Sequence, residues 1–498
     1  MERGASDQKL AVIAVVVGLA GIGAYLLRHG VAVDTDAVTY LSAAENLFHG
    51  RGLRSFNGAP VVVWPPLYSL ILAGLMFFTG GDVLTAAAVS DVLAYLLAAW
   101  TGWKLFSLYV KEDRVRMWAF VVYVLGQPFW ERFVEAKSEP WFIVWVNLFL
   151  WQAAAWVQSQ RPRHLWALAL AGALAVMQRY VGVTLWAAWA VMLLFRSSLP
   201  GGRRWKVLVM PALPAMLTLV GWLFFSWHWT GTLGGMRAPP FYGVGKWLWA
   251  FYHTVCSWVI PSAVRWGLTG QVVVVMLGTL VMGALKASCR THLMVLMRRH
   301  ALLMAWVVLY LLMLLISGTT MWISLPGSRL LAPMFGVWLI GMAGLAGCVL
   351  QKKGSFARYW RYGLLLLVGL HLGRSGYSMV QAYRKGLHYS GMQHRLLNRW
   401  LAHYEGPHAV LTTHPERFWY AFPAKRPRPY SQAATAEAVM ETDTVFILWE
   451  APPWWVKPPS LRWAFVQDRP LLERKYQIER VDSSAEEAVY RLVRATDE

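Results

Sequence analysis

Near-continuous apolar stretches, separated by short polar loops, recur through the first 380 positions of the chain. Many approach the roughly 20 residues that a helix needs to cross a hydrocarbon core of about 30 Å. The pattern predicts spans over 10–27, 83–109, 117–131, 140–157, 165–178, 180–195, 207–227, 270–286, 301–317, 330–350 and 362–380. The run 67–79 differs. At about 13 residues it is too short to cross comfortably. If it crossed, every later loop would change sides, and the basic clusters 111–116, 161–164, 196–206, 286–299 and 352–361 would all face outward. Short basic loops belong in the cytoplasm, so the run is placed along the outer surface. The result is about eleven transmembrane helices, the N-terminus cytoplasmic and the C-terminus extracytoplasmic. Segments 28–82, 132–139, 228–269 and 318–329 then collect on the outer face. The first apolar run follows Arg3 and Lys9 and lacks a small-residue cleavage site, so it reads as a retained span.

From about Gln381 the pattern changes. Acidic residues return, and short β-prone runs appear at 409–412, 443–449, 476–481 and 488–493, with Pro-rich turns such as 425–429 and 451–453 between them. The fold class is mainly α: a polytopic transmembrane domain over 1–380, carrying the outer-face loop 28–82, and a small extracytoplasmic α/β domain over 381–498.

Composition agrees. Hydrophobic residues make up 57% of the chain and charged residues 15%, which excludes a soluble enzyme. The net charge of +21 sits mostly in the short loops, where orientation in a membrane explains it and nucleic acid is not needed. The thirty Trp fall mostly near the ends of apolar runs, as interfacial belts require. Cys256, Cys289 and Cys348 are too few and scattered for a disulfide framework or a thiolate metal site.

The acidic residues narrow the chemistry. No Asp or Glu occurs between Pro140 and Tyr404, so a carboxylate serving the membrane region must come from the first 139 residues or the C-terminal segment. Asp34, Asp36, Glu45, Asp82, Glu131, Glu135 and Glu139 fall on the outer face, with Arg179, Arg237, Lys246, Arg265 and Arg329 near outer span ends. Arginine binds phosphate through a planar fork of donors, and a carboxylate can take a proton from an attacking hydroxyl. Solvated loop charges and snorkelling arginines give the same pattern without any site.

The stretch Asp34-Thr35-Asp36-Ala37-Val38-Thr39-Tyr40, running on to Gly50 and Gly52, resembles the first outer loop of GT-C glycosyltransferases that use polyprenyl-phosphate sugars. These include protein O-mannosyltransferases and aminoarabinose transferases. Further likenesses follow in order: Trp64-Pro65-Pro66-Leu67-Tyr68 before a surface helix, Ser138-Glu139-Pro140 opening a span, Gly172 to Arg179-Tyr180 at a tight outer turn, and Ser328-Arg329 to Pro333. The resemblance implies an inverting transferase acting outside the plasma membrane. It puts Asp36, four before Tyr40, at the catalytic acidic position, with Glu139 the second acidic residue and Asp34 ranked behind. A helix N-cap at Asp36, and a Ser138 cap with Glu139 at the positive helix end, are the structural alternatives. Arg329, Arg179 and Arg237 are the candidates for the donor phosphate, Arg329 foremost.

Some members of that family place Glu or His before the surface-helix prolines as part of a metal site. Val62-Val63-Trp64 stands there instead, so no metal ligand is assigned and a divalent cation stays an open possibility. The expected partners are a polyprenyl-phosphate-linked sugar, a lipid, glycan or protein acceptor, and membrane lipids. A transporter or flippase is the alternative. Such proteins place ionisable residues inside their spans, and Asp91 is the one carboxylate there. A polysaccharide polymerase or ligase would share the donor but lean on a large late outer loop.

Overall fold

The computed structural model describes residues 2–194, 201–235, 239–240, 242–259, 289–321, 323, 325, 327–350, 355–388, 409–412, 428–429, 435, 438, 445–450, 461–473, 476–483 and 487–494. In chain order the helices are α1 (Glu2–His29), α2 (Thr35–Phe48), α3 (Leu67–Met76), α4 (Val83–Tyr109), α5 (Asp113–Leu125), α6 (Gln127–Trp130), α7 (Glu139–Ser159) and α8 (Pro162–Gln178). They continue as α9 (Val183–Leu194), α10 (Gly201–Thr230), α11 (Val244–Val259), α12 (Cys289–Thr320), α13 (Ser328–Leu350), α14 (Ser355–Lys385) and α15 (Leu461–Leu472). Contacts divide the chain into two compact units, one of residues 1–28 with 60–384, the other of 29–59 with 385–498.

The first unit is helical. Among the described residues, six helical stretches are long and apolar enough to cross a membrane: Gln8–His29, Val83–Tyr109, Glu139–Ser159, Arg204–Thr230, Arg299–Thr320 and Arg329–Gly347. The predicted span 270–286 lies outside the described residues. The predicted span 117–131 is not one helix. It breaks at Gly126, whose backbone is extended, and resumes as short α6 followed by a 3-10 turn over Glu131–Val134. A side chain at Gly126 would meet the Val122 carbonyl oxygen at 2.5 Å, and Pro128 has no N–H to carry the first helix onward. The short run at 67 forms the ten-residue α3. Helix α11 falls in a segment that the hydropathy pattern gave only as an outer-face connection.

Helix α7 lies at the centre of this unit, packed against α4, α8 and α13. Two of its polar side chains bond to neighbouring helices: Asn147 donates to the Tyr123 hydroxyl at 2.9 Å and to the Ala98 carbonyl at 3.3 Å, and Trp141 donates to Ser90 Oγ at 2.8 Å. An unmet polar group in an apolar interior costs several kcal/mol on the order of a lost hydrogen bond, so these bonds fix which faces meet. Asp91 on α4 is fully buried beside them, and neither of its oxygens has a hydrogen-bond partner among the described residues. Helices α1 and α10 differ, turning Val12, Val16, Leu217, Val220 and Phe224 outward, where lipid would cover them. Trp130, Trp156, Trp189, Trp247 and Trp306 are fully buried. For these the interfacial-belt expectation is corrected: the rings fill the helix packing, as Trp156 does edge-on against Trp189 at 5.4 Å.

In the second unit, α2 is tied to the loop after it. The Asn46 amide donates to the Arg54 carbonyl at 2.8 Å and to that of Ser55 at 3.2 Å. The remainder builds a five-stranded sheet from β1 (Ala409–Thr412), β2 (Arg428–Pro429), β3 (Val445–Glu450), β4 (Tyr476–Ser483) and β5 (Glu487–Arg494), in the order β2-β1-β3-β5-β4. Strand β1 pairs parallel with β2 and β3, whereas β5 pairs antiparallel with β3 and β4. Leu411, Val445, Ile447, Phe465, Tyr490 and Leu492 form its core, with α15 supplying Phe465. The 425–429 stretch, expected as a turn, contributes β2. Proline is tolerated there because β2 is an edge strand.

Candidate active site

Three helix ends bring the central side chains together. Helix α7 starts at Glu139, with Pro140 in the first turn, where its missing N–H is harmless. Helix α8 stops because Arg179 takes an extended backbone, and the 3-10 turn Tyr180–Gly182 follows. That turn needs Gly182, since a Cβ there would lie 2.6 Å from the backbone of Ala175. Helix α13 opens with Ser328-Arg329.

At this junction Arg179 Nη1 lies 2.7 Å from Glu139 Oε1, and Arg329 Nε lies 3.3 Å from the same oxygen. The Glu139 side chain is 3% exposed, against 18% for Arg179 and 24% for Arg329, so the carboxylate is inside and the two guanidiniums reach outward. Arg179 Nη1 also donates to Ser138 Oγ at 3.0 Å, and Gln178 Nε2 donates to the Ser138 carbonyl at 3.0 Å. Buried Tyr310 donates to the Leu330 carbonyl at 2.7 Å, holding the first turn of α13 beside Arg329. Tyr180 accepts from Trp222 Nε1 at 2.8 Å and donates to the Val62 carbonyl at 3.1 Å. The segment before α3 is thereby anchored at the same turn.

Four residues earlier stands a second ionic group. Buried Arg132 meets Glu135 at 2.9 Å and Glu131 at 2.8 Å, and Lys137 lies 3.5 Å from Glu135. Burial by itself would lower the Arg132 pKa. The Glu135, Glu131 and Glu139 carboxylates outweigh it and hold the guanidinium above its ordinary range. Glu131 and Glu135 are therefore not solvated loop charges, because Glu135 is buried and both are paired.

Of the predicted residues, Glu139, Arg179 and Arg329 come together. Asp34 and Asp36 lie at the start of α2, in the second unit. Asp34, not Asp36, is the N-cap: its carboxylate accepts from the Ala37 amide at 3.0 Å, and Asp36 sits in the first turn. Capping thus accounts for Asp34 and leaves Asp36 without that explanation. Ser138 stands at the N-cap position of α7, but its backbone is helical and its side chain makes no cap bond. It serves Arg179 instead. Arg237 lies outside the described residues. Sequence reasoning missed Tyr310 and the Arg132 group; the spacing of three between Arg132 and Glu135 was the available signal for the latter. Among the described residues no three His, Cys, Asp or Glu side chains form a group able to hold a metal ion.

The fold is that shared by the GT-C glycosyltransferases. ArnT from Cupriavidus metallidurans superposes with a TM-score of 0.61 at 12% identity, covering 98% of this chain and 98% of that one in its apo structure. ArnT bound to undecaprenyl phosphate gives 0.60 at 12% identity, with 96% and 97% covered. The oligosaccharyltransferase AglB from Archaeoglobus fulgidus, in complex with an inhibitory peptide and a dolichol-phosphate, gives 0.51 at 12% identity, covering 95% of this chain and 72% of that one. No protein-family model matches the sequence, and no curated protein does.

Proposed function

We propose that this protein is an inverting membrane glycosyltransferase that moves a sugar from a polyprenyl-phosphate donor to a lipid, glycan or protein acceptor outside the plasma membrane. What carries the reading is the convergence of Arg179 and Arg329 on one buried carboxylate oxygen, in a fold shared with a protein solved with undecaprenyl phosphate. The reading includes eleven spans, a membrane domain over 1–380, and an extracytoplasmic domain over 381–498. It puts the N-terminus in the cytoplasm and the C-terminus outside, as the basic loops require.

In the proposed reaction the acceptor hydroxyl or amine attacks the anomeric carbon from the face opposite the phosphate. The new bond forms as the carbon–oxygen bond to phosphate breaks, and its electron pair leaves on the phosphate oxygen. Asp36 takes the acceptor proton. Arg179 and Arg329 meet the growing phosphate charge, an interaction that strengthens as the bond breaks. Glu139 acts through them, orienting two guanidiniums before the donor arrives.

Asp36→Asn removes the base while leaving the Asp34 cap in place. Turnover should fall by about 10²–10⁴-fold with unchanged folding, and Asp34→Asn should do much less. Wild-type turnover in Asp36→Asn would remove that residue from the mechanism. Purified protein in detergent should form product from a polyprenyl-phosphate sugar and acceptor with no membrane gradient. Substrate movement across sealed vesicles without a new glycosidic bond would favour a transporter instead.

A further inference from the structure

A separate cavity of about 570 Å³ lies between α5, α13 and α14. That volume falls within the roughly 300–1,000 Å³ typical of small-molecule sites. Its walls are apolar over most of their length, with Trp118, Trp338, Ala343, Ala346 and Val368 among the lining residues. Among the described lining residues the charged ones stand at one end, Arg114 and Arg361 with Glu112. Three chain positions meet at that mouth: the start of α5, the last turn of α13 and the start of α14. Arg361 donates there to the Leu350 carbonyl at 3.3 Å. At the other end the cavity reaches buried His371, whose ring stacks on Phe335 at a centroid distance of 5.8 Å.

Depth and charge identify the occupant. His371 follows Arg361 by ten residues along one helix, a rise of about 15 Å at 1.5 Å per residue. That is half of a hydrocarbon core of about 30 Å, the depth of a single leaflet. A chain seated with its headgroup at the arginines would end at His371. A much longer polyprenyl chain would overrun the cavity. Among the described residues lining the mouth, two guanidiniums stand against one carboxylate, matching a headgroup of single negative charge. Arg116, one turn away, is already paired with Asp113 at 2.7 Å. Basic pockets between membrane helices hold anionic lipid headgroups in this way.

We infer that this cavity binds a singly anionic glycerophospholipid of the leaflet at which Arg114 and Arg361 lie, its phosphate between the two arginines and an acyl chain along α5, α13 and α14. Neither Asp36 nor Glu139 lines the cavity, and the inference does not rest on the transfer reaction. The orientation proposed above makes the leaflet the cytoplasmic one.

The test is native mass spectrometry of the full chain in detergent with equimolar dioleoyl phosphatidylglycerol and dioleoyl phosphatidylethanolamine. The wild type should retain phosphatidylglycerol in preference. Arg114→Ala with Arg361→Ala should lose that preference, by roughly fivefold for each arginine. Ala346→Trp, which fills the cavity, should retain neither lipid there. If Ala346→Trp does not fold, the arginine pair decides alone. Equal retention of both lipids by the wild type, or an unchanged preference in the double variant, would overturn the assignment. A polyprenyl phosphate that co-purifies and is lost on Ala346→Trp would overturn it as well, by giving the cavity to the donor.

Discussion

The two ionic groups at the start of α7 both pair arginine with glutamate and are assembled in opposite ways. Arg132, Glu131, Glu135 and Lys137 lie within seven consecutive positions and close on one another around a 3-10 turn. Glu139, Arg179 and Arg329 come from three helix ends that are distant in the chain, and here two arginines reach outward from one carboxylate. A local cluster holds its own turn whatever else happens. A cluster drawn from three helices exists only when those helices are packed, and it leaves guanidinium surface available to a ligand. The first arrangement suits a structural clamp and the second suits a site.

The largest effect expected from this contrast is on stability. Arg132→Ala takes the 2.9 Å partner from buried Glu135, leaving it Lys137 at 3.5 Å, and the 2.8 Å partner from half-buried Glu131; breaking a buried pair costs about 3–5 kcal/mol. Thermal unfolding in detergent should show a marked loss for Arg132→Ala, while the protein that remains folded binds donor as before. A variant that unfolds normally but loses donor affinity would erase the distinction between the groups.

The next effect is on binding. Arg329→Ala leaves Glu139 its 2.7 Å partner Arg179, so the fold should tolerate it. Removing a charge partner from a bound anion costs about 2–5 kcal/mol, which means donor affinity should fall more than tenfold. Arg329→Lys should fall between, because a point charge cannot reproduce the planar fork. Equal affinities in all three proteins would remove Arg329 from the site and leave Arg179 or Arg237 as the next candidate.

What the sequence disclosed follows from what each signal measures. The pattern located α4 to the residue, because membrane crossing leaves a continuous apolar run. The acid-free stretch after Pro140 left seven outer-face carboxylates, and resemblance singled out Glu139 among them together with Arg179 and Arg329; their convergence is tertiary and had no local sign. Pro128 was a local sign of the break at Gly126, masked by an apolar run that continues across it; that a side chain at Gly126 would meet Phe335 and His371 is tertiary and had no local sign. The burial of Glu135 was hidden for a related reason: loop position says nothing of burial. The capping alternative offered for Asp36 belongs two residues earlier, at Asp34: at a helix start either Asp satisfies the pattern and only the bond to the Ala37 amide decides.

The smallest effect tests how finely the second group is set. A cap at Ser138 was the structural alternative for the start of α7, and a lost cap costs about 1 kcal/mol of stability. The Ser138 side chain makes no cap bond and instead accepts from Arg179 at 3.0 Å. Ser138→Ala should therefore leave the unfolding temperature nearly unchanged. Arg179 keeps Glu139 but loses the second acceptor that fixes the direction of its fork. One hydrogen bond is worth about 1 kcal/mol, so donor affinity should fall by roughly fivefold. Ser138→Thr, which keeps the hydroxyl, should restore most of it. A drop in stability with unchanged affinity would return Ser138 to a capping role and show that Arg179 is positioned by Glu139 alone.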